Sequence, residues 1–594
     1  MAFTYQPLQD SRRHIRLLQI DGHDAAADRI SCSIVHDSLD NDPEFTALSY
    51  VWGDPSQPRT ILLQGQEVNV TRNLYFALER LAKFPKSRVS QLWIDALCIN
   101  QADDEEKGHQ VQLMGTIYSS ATQVLIWLGP ADDASVDALR QLGLLGTSFE
   151  DVEAREDSGP VVRQAFVKTV LDLSGTRINF AHIQSLFKRP WWTRVWVVQE
   201  ALLARQAYVL VGDHAQDWKH IRRAWSAFEW MILYVDTDPE YRPVYEVLSD
   251  VYFKIAHFTH GDGPGSGTRK SMSLFEAVFY SAASGAVQST DPRDRIYGLL
   301  GLLDDRDRAR IPVDYSREMT LEKILFFTTK ALIEDHGPDV LSYRRTTSLS
   351  AGAPGWTVDW TVKMISTIGG FNFGSNHYDA SNGRVWSLST AFDATFENPT
   401  IRLSGVVVGH VKKTGSILRS TADSPSYIQD CKSWLLELED LVRSNFEDGA
   451  AKEEIVQNVW RVPIADMGLV ERAKPDDGFA EAYRILTEAV KPPPDVAQGD
   501  WISSETWPYR RVWKVYGHRA FVLDTAEEAP GLGPDCVCPG DMVVIFCGSH
   551  VPFVVRENSQ GCSLIGPAYA YGYMDGEAFE DIVAKHGLRD IQLC

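Results

Sequence analysis

Hydrophobic positions in the first 220 residues alternate between short apolar runs and stretches with helical spacing, the pattern of strands alternating with helices. Residues 15–20 (IRLLQI) and 30–36 (ISCSIVH) predict two strands joined by a turn rich in Asp, Gly and Ala. Phe45 to Tyr50 (FTALSY) predicts a strand feeding a loop with Gly53, Asp54 and Pro55, and ILLQGQEVNV, turning near Gly65, predicts a small β insertion. Thr71 is placed to cap a helix, RNLYFALERLAKF, that carries Leu74, Ala77, Leu78 and Leu81 at helical spacing. Gln91 to Ile99 (QLWIDALCI) is a continuous apolar run interrupted by Asp95, which predicts a strand buried on both faces with a polar group near its carboxyl end. The acidic residues 103–106 then open a helix whose stripe is Val111, Met114, Tyr118 and Ala121. QVLIWLG at 123–129 and AYVLVG at 207–212 predict two more buried strands, with a helix in TRVWVVQEALLARQ at 193–206. Strand, helix, strand in this order predicts an α/β domain with a mostly parallel sheet and right-handed crossovers.

Residues 130–180 are less periodic and read as an insertion, with a loop at EDVEAREDSGP. Helical spacing dominates 221–340, interrupted by GDGPGSGTR at 261–269, whose glycines fit neither nucleotide-loop pattern. Beyond 340 the texture is mixed: GWTVDW at 355–360, a strand IRLSGVVVGHV, a helix SWLLELEDLVRS and the proline-rich joint KPPPD at 491–495. The last hundred residues carry short strands, VWKVY, AFVLD, MVVIF and PFVVR, between Gly, Pro and Asp turns, which predicts a small barrel or sandwich. The expected organisation is an α/β domain at 1–220, a helical region at 221–340, a mixed α/β linker region at 341–500 and a β-rich domain at 501–594, α+β overall.

Composition changes the picture in two ways. A formal charge of −22 argues against the positive surface that nucleic-acid binding requires, so no nucleic-acid partner is expected. Eight cysteines in 594 residues are too sparse for a disulfide framework. The opening residues lack a signal-peptide pattern and no apolar run is long enough to span a bilayer, so a soluble, cytoplasmic protein is expected.

The blocks LSYVWGD (48–54), LWIDALCINQ (92–101), IYSSATQVLIWLG (117–129) and RVWVVQE (194–200) resemble, in order and spacing, the signature blocks of the fungal heterokaryon-incompatibility domain. TDPRDRIYGLLGL (290–302), GWTVDW and the terminal GLGP, PGDMVVIFCG, PFVVR and YGYMDGEAF resemble segments found downstream in the same proteins. The resemblance implies an allorecognition effector that triggers programmed cell death, with a protein partner in incompatibility signalling and self-association as its expected contacts. LSYVWGD, WIDALCINQ and RVWVVQE are also similar to the first strand and loop, the second strand, and the helix carrying Trp and Glu of Toll/interleukin-receptor domains. That second likeness implies a Toll/interleukin-receptor-like fold and, from the family's enzymatic members, NAD glycohydrolysis, with Glu200 at the position of the catalytic glutamate.

NAD cleavage needs a carboxylate near the ribose, an aromatic wall and exclusion of water. Glu200 and Asp95 are the candidate catalytic residues, and Trp52, Gly53, Asn100, Arg194 and Trp196 the candidate binding residues, with NAD as substrate, no cofactor and no metal. The plainer alternative has Glu200 paired with Arg194, Arg205 or a backbone group, Trp196 in the core, and Asp95 capping the acidic helix. A non-catalytic module acting by self-association therefore stands beside the enzyme. Lys188, Arg189 and Arg194, interleaved with Trp191 and Trp192, offer either an anion pocket or a basic surface spot. Cys98 with His109 reads as a buried thiol more readily than as a catalytic dyad, and Cys536, Cys538, Cys547 and His550 lack the usual zinc spacing. Asp291 to Asp294 read as a helix cap with proline in the first turn, supplemented by an ion pair through Arg295.

Overall fold

The computed structural model describes residues 3–24, 29–84, 90–153, 165–170, 178–235, 271–285, 287–344, 352–363, 368, 377–386, 394–419, 427–444, 450–467, 472–474, 478–488, 517–576 and 578–594. The expected loop at 261–269, the joint at 491–495, the strand VWKVY and most of EDVEAREDSGP lie outside the described residues. Contacts divide the chain into one unit of Met1–Ile324 with Trp360–Met364, and a second of Leu325–Asp359 with Ile365–Cys594.

The first unit is built on a nine-stranded sheet: β1 (His14–Asp24), β2 (Arg29–Ser38), β3 (Thr46–Tyr50), β4 (Pro58–Leu63), β5 (Gln66–Thr71), β6 (Leu92–Trp93), β7 (Gln123–Trp127), β8 (Ala207–Val211) and β9 (His214–Asp217). Their spatial order is β5-β4-β2-β1-β6-β3-β7-β8-β9. The central run β6-β3-β7-β8 is parallel throughout. Around it, β1 pairs antiparallel with β2 and β6, β4 with β5, and β8 with β9, so the sheet as a whole is mixed rather than mostly parallel. The hairpins β1–β2, β4–β5 and β8–β9 can only add antiparallel pairs, while β2 and β4 pair in parallel between two of them.

The helices are α1 (Arg72–Ala82), α2 (Asp95–Cys98), α3 (Asp104–Ser120), α4 (Asp133–Glu153), α5 (Phe180–Phe187), α6 (Trp196–Leu202), α7 (Trp218–Val235), α8 (Leu274–Ser284) and α9 (Asp294–Tyr297). Thr71 caps α1 by accepting from Leu74 N. QLWIDALCI is a strand only at Leu92–Trp93; from Asp95 it turns once as α2, with Ile94, Leu97, Cys98 and Ile99 all buried. The acidic helix α3 is capped by Asp103, which accepts from Glu105 N and Glu106 N, and not by Asp95. α4 belongs to the core rather than to an insertion: Leu142, Leu145 and Phe149 are buried on it and it packs along α7. The approach is close enough that a Cβ on Gly146 would sit 1.9 Å from the His220 carbonyl oxygen.

A buried ion pair ties α3 to β1 and α2. Arg16, 1% exposed, holds Glu106 with both terminal nitrogens at 2.6 and 3.0 Å and also donates to the Cys98 carbonyl. Losing either partner would strand a charge in the core, so the pair fixes position more than it adds stability.

The second unit carries β10 (Ile401–Ile417), α10 (Tyr427–Arg443), β11 (His518–Leu523), β12 (Pro530–Pro534), β13 (Met542–Phe546), β14 (Phe553–Asn558), β15 (Gly561–Pro567), β16 (Tyr569–Ala570), α11 (Phe579–His586) and β17 (Arg589–Leu593). The long β10 pairs with β17 at one end, β13 in the middle and β11 at the other. Strands β10, β13, β14, β15 and β17 close a ring, and Val406, Val543, Ile545, Val554 and Ile565 form a core cluster with Phe521 and Leu523 of β11 and Phe579 of α11. The architecture is α+β: a mixed sheet N-terminally, helices in the middle and a β-rich C-terminal region.

Ile94 is fully buried between β6 and α2. Ile94→Ala is expected to destabilise the chain by about 2–5 kcal/mol, read by urea denaturation, because the surrounding elements are pinned and cannot collapse into the space. A change under about 1 kcal/mol would contradict this packing.

Candidate functional site: a cavity at the carboxyl end of the central strands

β3 runs directly into the loop Val51–Asp54, and Asn73 on α1 holds that loop by donating to the Val51 carbonyl at 2.6 Å while accepting from the Trp127 indole at 3.0 Å. Gly53 takes φ +83°, and a Cβ there would lie 3.2 Å from the Asn73 Cβ, so the turn requires glycine. Trp52 is left 39% exposed and donates its indole N–H to Asp95 Oδ2 at 2.7 Å. Asp95, half-buried at the start of α2, also accepts from the Ala96 backbone at 2.7 Å. Burial raises its carboxyl pKa above the usual carboxylate range, against the opposing pull of Arg194 and of the Trp52 hydrogen bond.

The block RVWVVQE forms the second wall. A 3-10 turn at Pro190–Thr193 buries Trp191 and Trp192 completely and releases Arg194, whose Nη1 donates to the Tyr50 carbonyl. Trp196 is half-buried rather than in the core, and donates to Asp294 Oδ2 at 3.1 Å. Glu200 lies one turn further and is 2% exposed. Its Oε2 accepts from Ser49 Oγ on β3, and Ser49 in turn accepts from the Trp191 indole at 2.8 Å. Burial pushes the Glu200 carboxyl up to about 7, with Arg194 and the Ser49 hydrogen bond pulling it down.

A third wall comes from far along the chain. Gln288 bridges to Arg194 in parallel register, with Val195 N donating to its carbonyl at 3.0 Å, and this carries residues 288–294 alongside α6. Asp294 accepts from the Tyr315 hydroxyl at 2.6 Å as well as from Trp196, and burial raises its pKa. Asp291 is gripped by Arg293, Nη2 to Oδ2 at 2.8 Å, and Arg293 also donates to the Ser316 and Met319 carbonyls at 2.8 and 3.0 Å. The ion pair to Asp291 thus comes from Arg293.

These walls enclose a cavity of about 610 Å³ in the first unit. Of the residues named from sequence, Trp52, Gly53, Asp95, Arg194 and Trp196 line it. Glu200 and Asn100 do not: Glu200 is buried against Ser49 of β3, and Asn100 accepts from Ala102 N on its side-chain Oδ1 while its backbone N–H donates to Glu106. Gln101, Lys107, Ser289, Asp291, Asp294 and Tyr315 complete the lining. Of these, Asp291 and Asp294 come from TDPRDRIYG, the stretch expected as a helix cap.

Other candidates resolve into structural roles. Lys188 bonds Gln184, and Arg189 anchors the loop after β7 through the Leu128 and Pro130 carbonyls and Asp132, so Arg194 is the member of that basic cluster that reaches the cavity. Cys98 is fully buried with its thiol pushed up to about 12 by that burial, and His109 Nδ1 pairs with Ser11, so the two form no dyad. His550 pairs with Asp339, and the Cys538 sulfur accepts from Arg556 at 3.0 Å.

The raised Glu200 has a consequence for stability. Between its ordinary 4.5 and about 7, the folded chain keeps a proton that the unfolded chain releases. The stabilisation is therefore full below the unfolded pKa and is lost as pH rises through about 7. Glu200→Gln keeps an acceptor for Ser49 but cannot ionise, so it is expected to gain about 3 kcal/mol on the wild type from about pH 4 to about pH 8 in urea denaturation. A stability difference that does not change with pH would contradict the buried carboxyl.

Residues 45–200 match the family model described as heterokaryon incompatibility protein (HET), and residues 499–586 match the Het-6 beta-barrel domain. The chain is 26% identical over 671 aligned positions to heterokaryon incompatibility protein 6, OR allele, of Neurospora crassa, covering 97% of this chain and 96% of that protein. No solved structure matches it. Among the described residues, no helix is long and apolar enough to cross a membrane. The matched stretches supply two walls of the cavity and most of the barrel strands, so the chain is similar to heterokaryon-incompatibility proteins over a HET stretch at 45–200 and a Het-6 β-barrel stretch at 499–586.

Proposed function

We propose that this chain is an incompatibility effector that acts in the cytoplasm and triggers cell death by cleaving NAD in the cavity of its first unit. The relative's name supports the incompatibility role, and the likeness to Toll/interleukin-receptor domains suggests the chemistry. The observation that carries the reading is the convergence of Trp52, Asp95, Arg194 and Trp196, from three separated blocks, on one cavity of ligand size.

In this reading Asp95 is the carboxylate that meets the ribose. The nicotinamide–ribose bond breaks with its electron pair going to nicotinamide, positive charge grows on the ribose, and an ionised Asp95 stabilises it in a site partly closed by the Trp52 indole. Water then adds to the ribose and loses a proton, giving ADP-ribose. Glu200 does not line the cavity, so it acts as a positioning residue: its charge and the Ser49 hydrogen bond set the electrostatic surroundings of Arg194 and Asp95.

Incubating the purified full chain with NAD and following nicotinamide release tests this. Asp95→Asn is expected to lower turnover by roughly a hundredfold or more with folding intact, the size expected for one preorganised electrostatic group. Glu200→Gln is expected to lower turnover less and to flatten the pH profile near neutrality. A full chain that kills cells yet leaves NAD intact would contradict the enzyme and favour the module that acts by self-association with a protein partner.

A further inference from the structure

Within the cavity, the carboxylates have hydrogen-bond partners, whereas the two cations, whose charges pull on Asp95, Asp291 and Asp294, have donor N–H groups left over among the described residues. Asp291 is held by Arg293, Asp294 by Tyr315 and Trp196, and Asp95 by Trp52 and its own turn. Lys107, half-buried on α3, makes no hydrogen bond or ion pair among the described residues; its ammonium lies over the Tyr315 ring at 4.5 Å. Arg194 commits one terminal nitrogen to the Tyr50 carbonyl and makes no ion pair among the described residues. Ser289 Oγ is buried in the same lining without a partner among the described residues. Unpaired donors beside satisfied carboxylates are complementary to a negatively charged group with many acceptor oxygens.

We infer that the wall formed by α3 and residues 288–294 is an anion subsite that takes the phosphate groups of the cavity's ligand, with Lys107 and Ser289 as donors and Arg194 beside them. The inference rests on the ligand reading above and deepens it. A phosphate supplies the acceptor oxygens that an ammonium, a hydroxyl and a guanidinium can share, and its charge offsets the cost of keeping Lys107 half out of water. Ser289 lies outside the matched stretch 45–200, so the chain reads its ligand partly with residues beyond the matched domain. The Arg194–Gln288 bridge is what couples the two.

Titration calorimetry on the full chain, with ADP-ribose and with inorganic pyrophosphate as probes, tests the subsite. The wild type is expected to bind both, Lys107→Met to weaken both by roughly tenfold or more, and Ser289→Ala to weaken them by a smaller factor. Lys107→Arg restores most of the affinity, which a folding defect in Lys107→Met would not explain. Pyrophosphate binding without ADP-ribose binding would assign the subsite to free phosphates; ADP-ribose binding that depends on Lys107 assigns it to a nucleotide. Neither probe carries a nicotinamide bond, so the outcomes separate. Lys107-dependent binding by a chain that leaves NAD intact would sink the enzyme and keep the subsite. Equal binding by wild type and Lys107→Met, or no binding of either probe by the wild type, overturns the subsite whatever happens to NAD.

Discussion

A tryptophan indole can only donate a hydrogen bond, and that constraint orders the centre of the first unit. Trp191 donates to Ser49 Oγ, so the single Ser49 proton is left for Glu200, and the chain Trp191–Ser49–Glu200 has one possible direction. All three residues are buried, so each needs the other two. The chain joins β3 to the 3-10 turn at Pro190–Thr193 and to α6, with Trp191 and Glu200 lying 142 and 151 residues beyond Ser49. With α6 clamped to β3, Arg194 reaches the Tyr50 carbonyl and Trp196 faces Asp294. The cavity sits where it does because the sheet's central strand and its covering helix share this buried polar link.

From that link the site grows in both directions along the chain. The Val51–Asp54 loop leaves β3 and is steadied by Asn73, which brings the Trp52 indole over Asp95. The Gln288 bridge extends the Arg194 backbone into the 288–294 wall, and Arg293 fastens the following loop through the Ser316 and Met319 carbonyls so that Tyr315 meets Asp294. Two raised carboxyls, Asp95 and Glu200, then share the field of one guanidinium.

Much of this was legible in the sequence where periodicity speaks alone. FTALSY, QVLIWLG and AYVLVG are short apolar runs, and they are the parallel centre of the sheet. QLWIDALCI looks the same by composition, yet it is a two-residue strand and a helical turn, because a run buried on all sides carries no period to tell the two apart. The hairpins β1–β2 and β4–β5 were visible as paired strands, but β9 and the pairing of β1 with β6 were not. Of the residues named from the sequence, Trp52, Gly53, Asp95, Arg194 and Trp196 line one cavity, whereas Asn100 and Glu200 do not; Glu200 is buried against Ser49 of β3, a difference of side-chain depth that a helix position does not encode. Arg16, Glu106, Lys107 and Tyr315 were out of reach, since their partners lie about 10 to 200 residues away and only the fold brings them together.

A crystal structure of the full chain grown with ADP-ribose tests the central claim most directly, because it asks whether residues from 48–54, 92–101, 194–196 and 288–315 form one ligand site. The account predicts density in the cavity, with an aromatic or ribose face against Trp52 and Trp196 and phosphate oxygens within hydrogen-bond reach of Lys107. Ligand bound elsewhere on the chain, with the cavity empty, would contradict it.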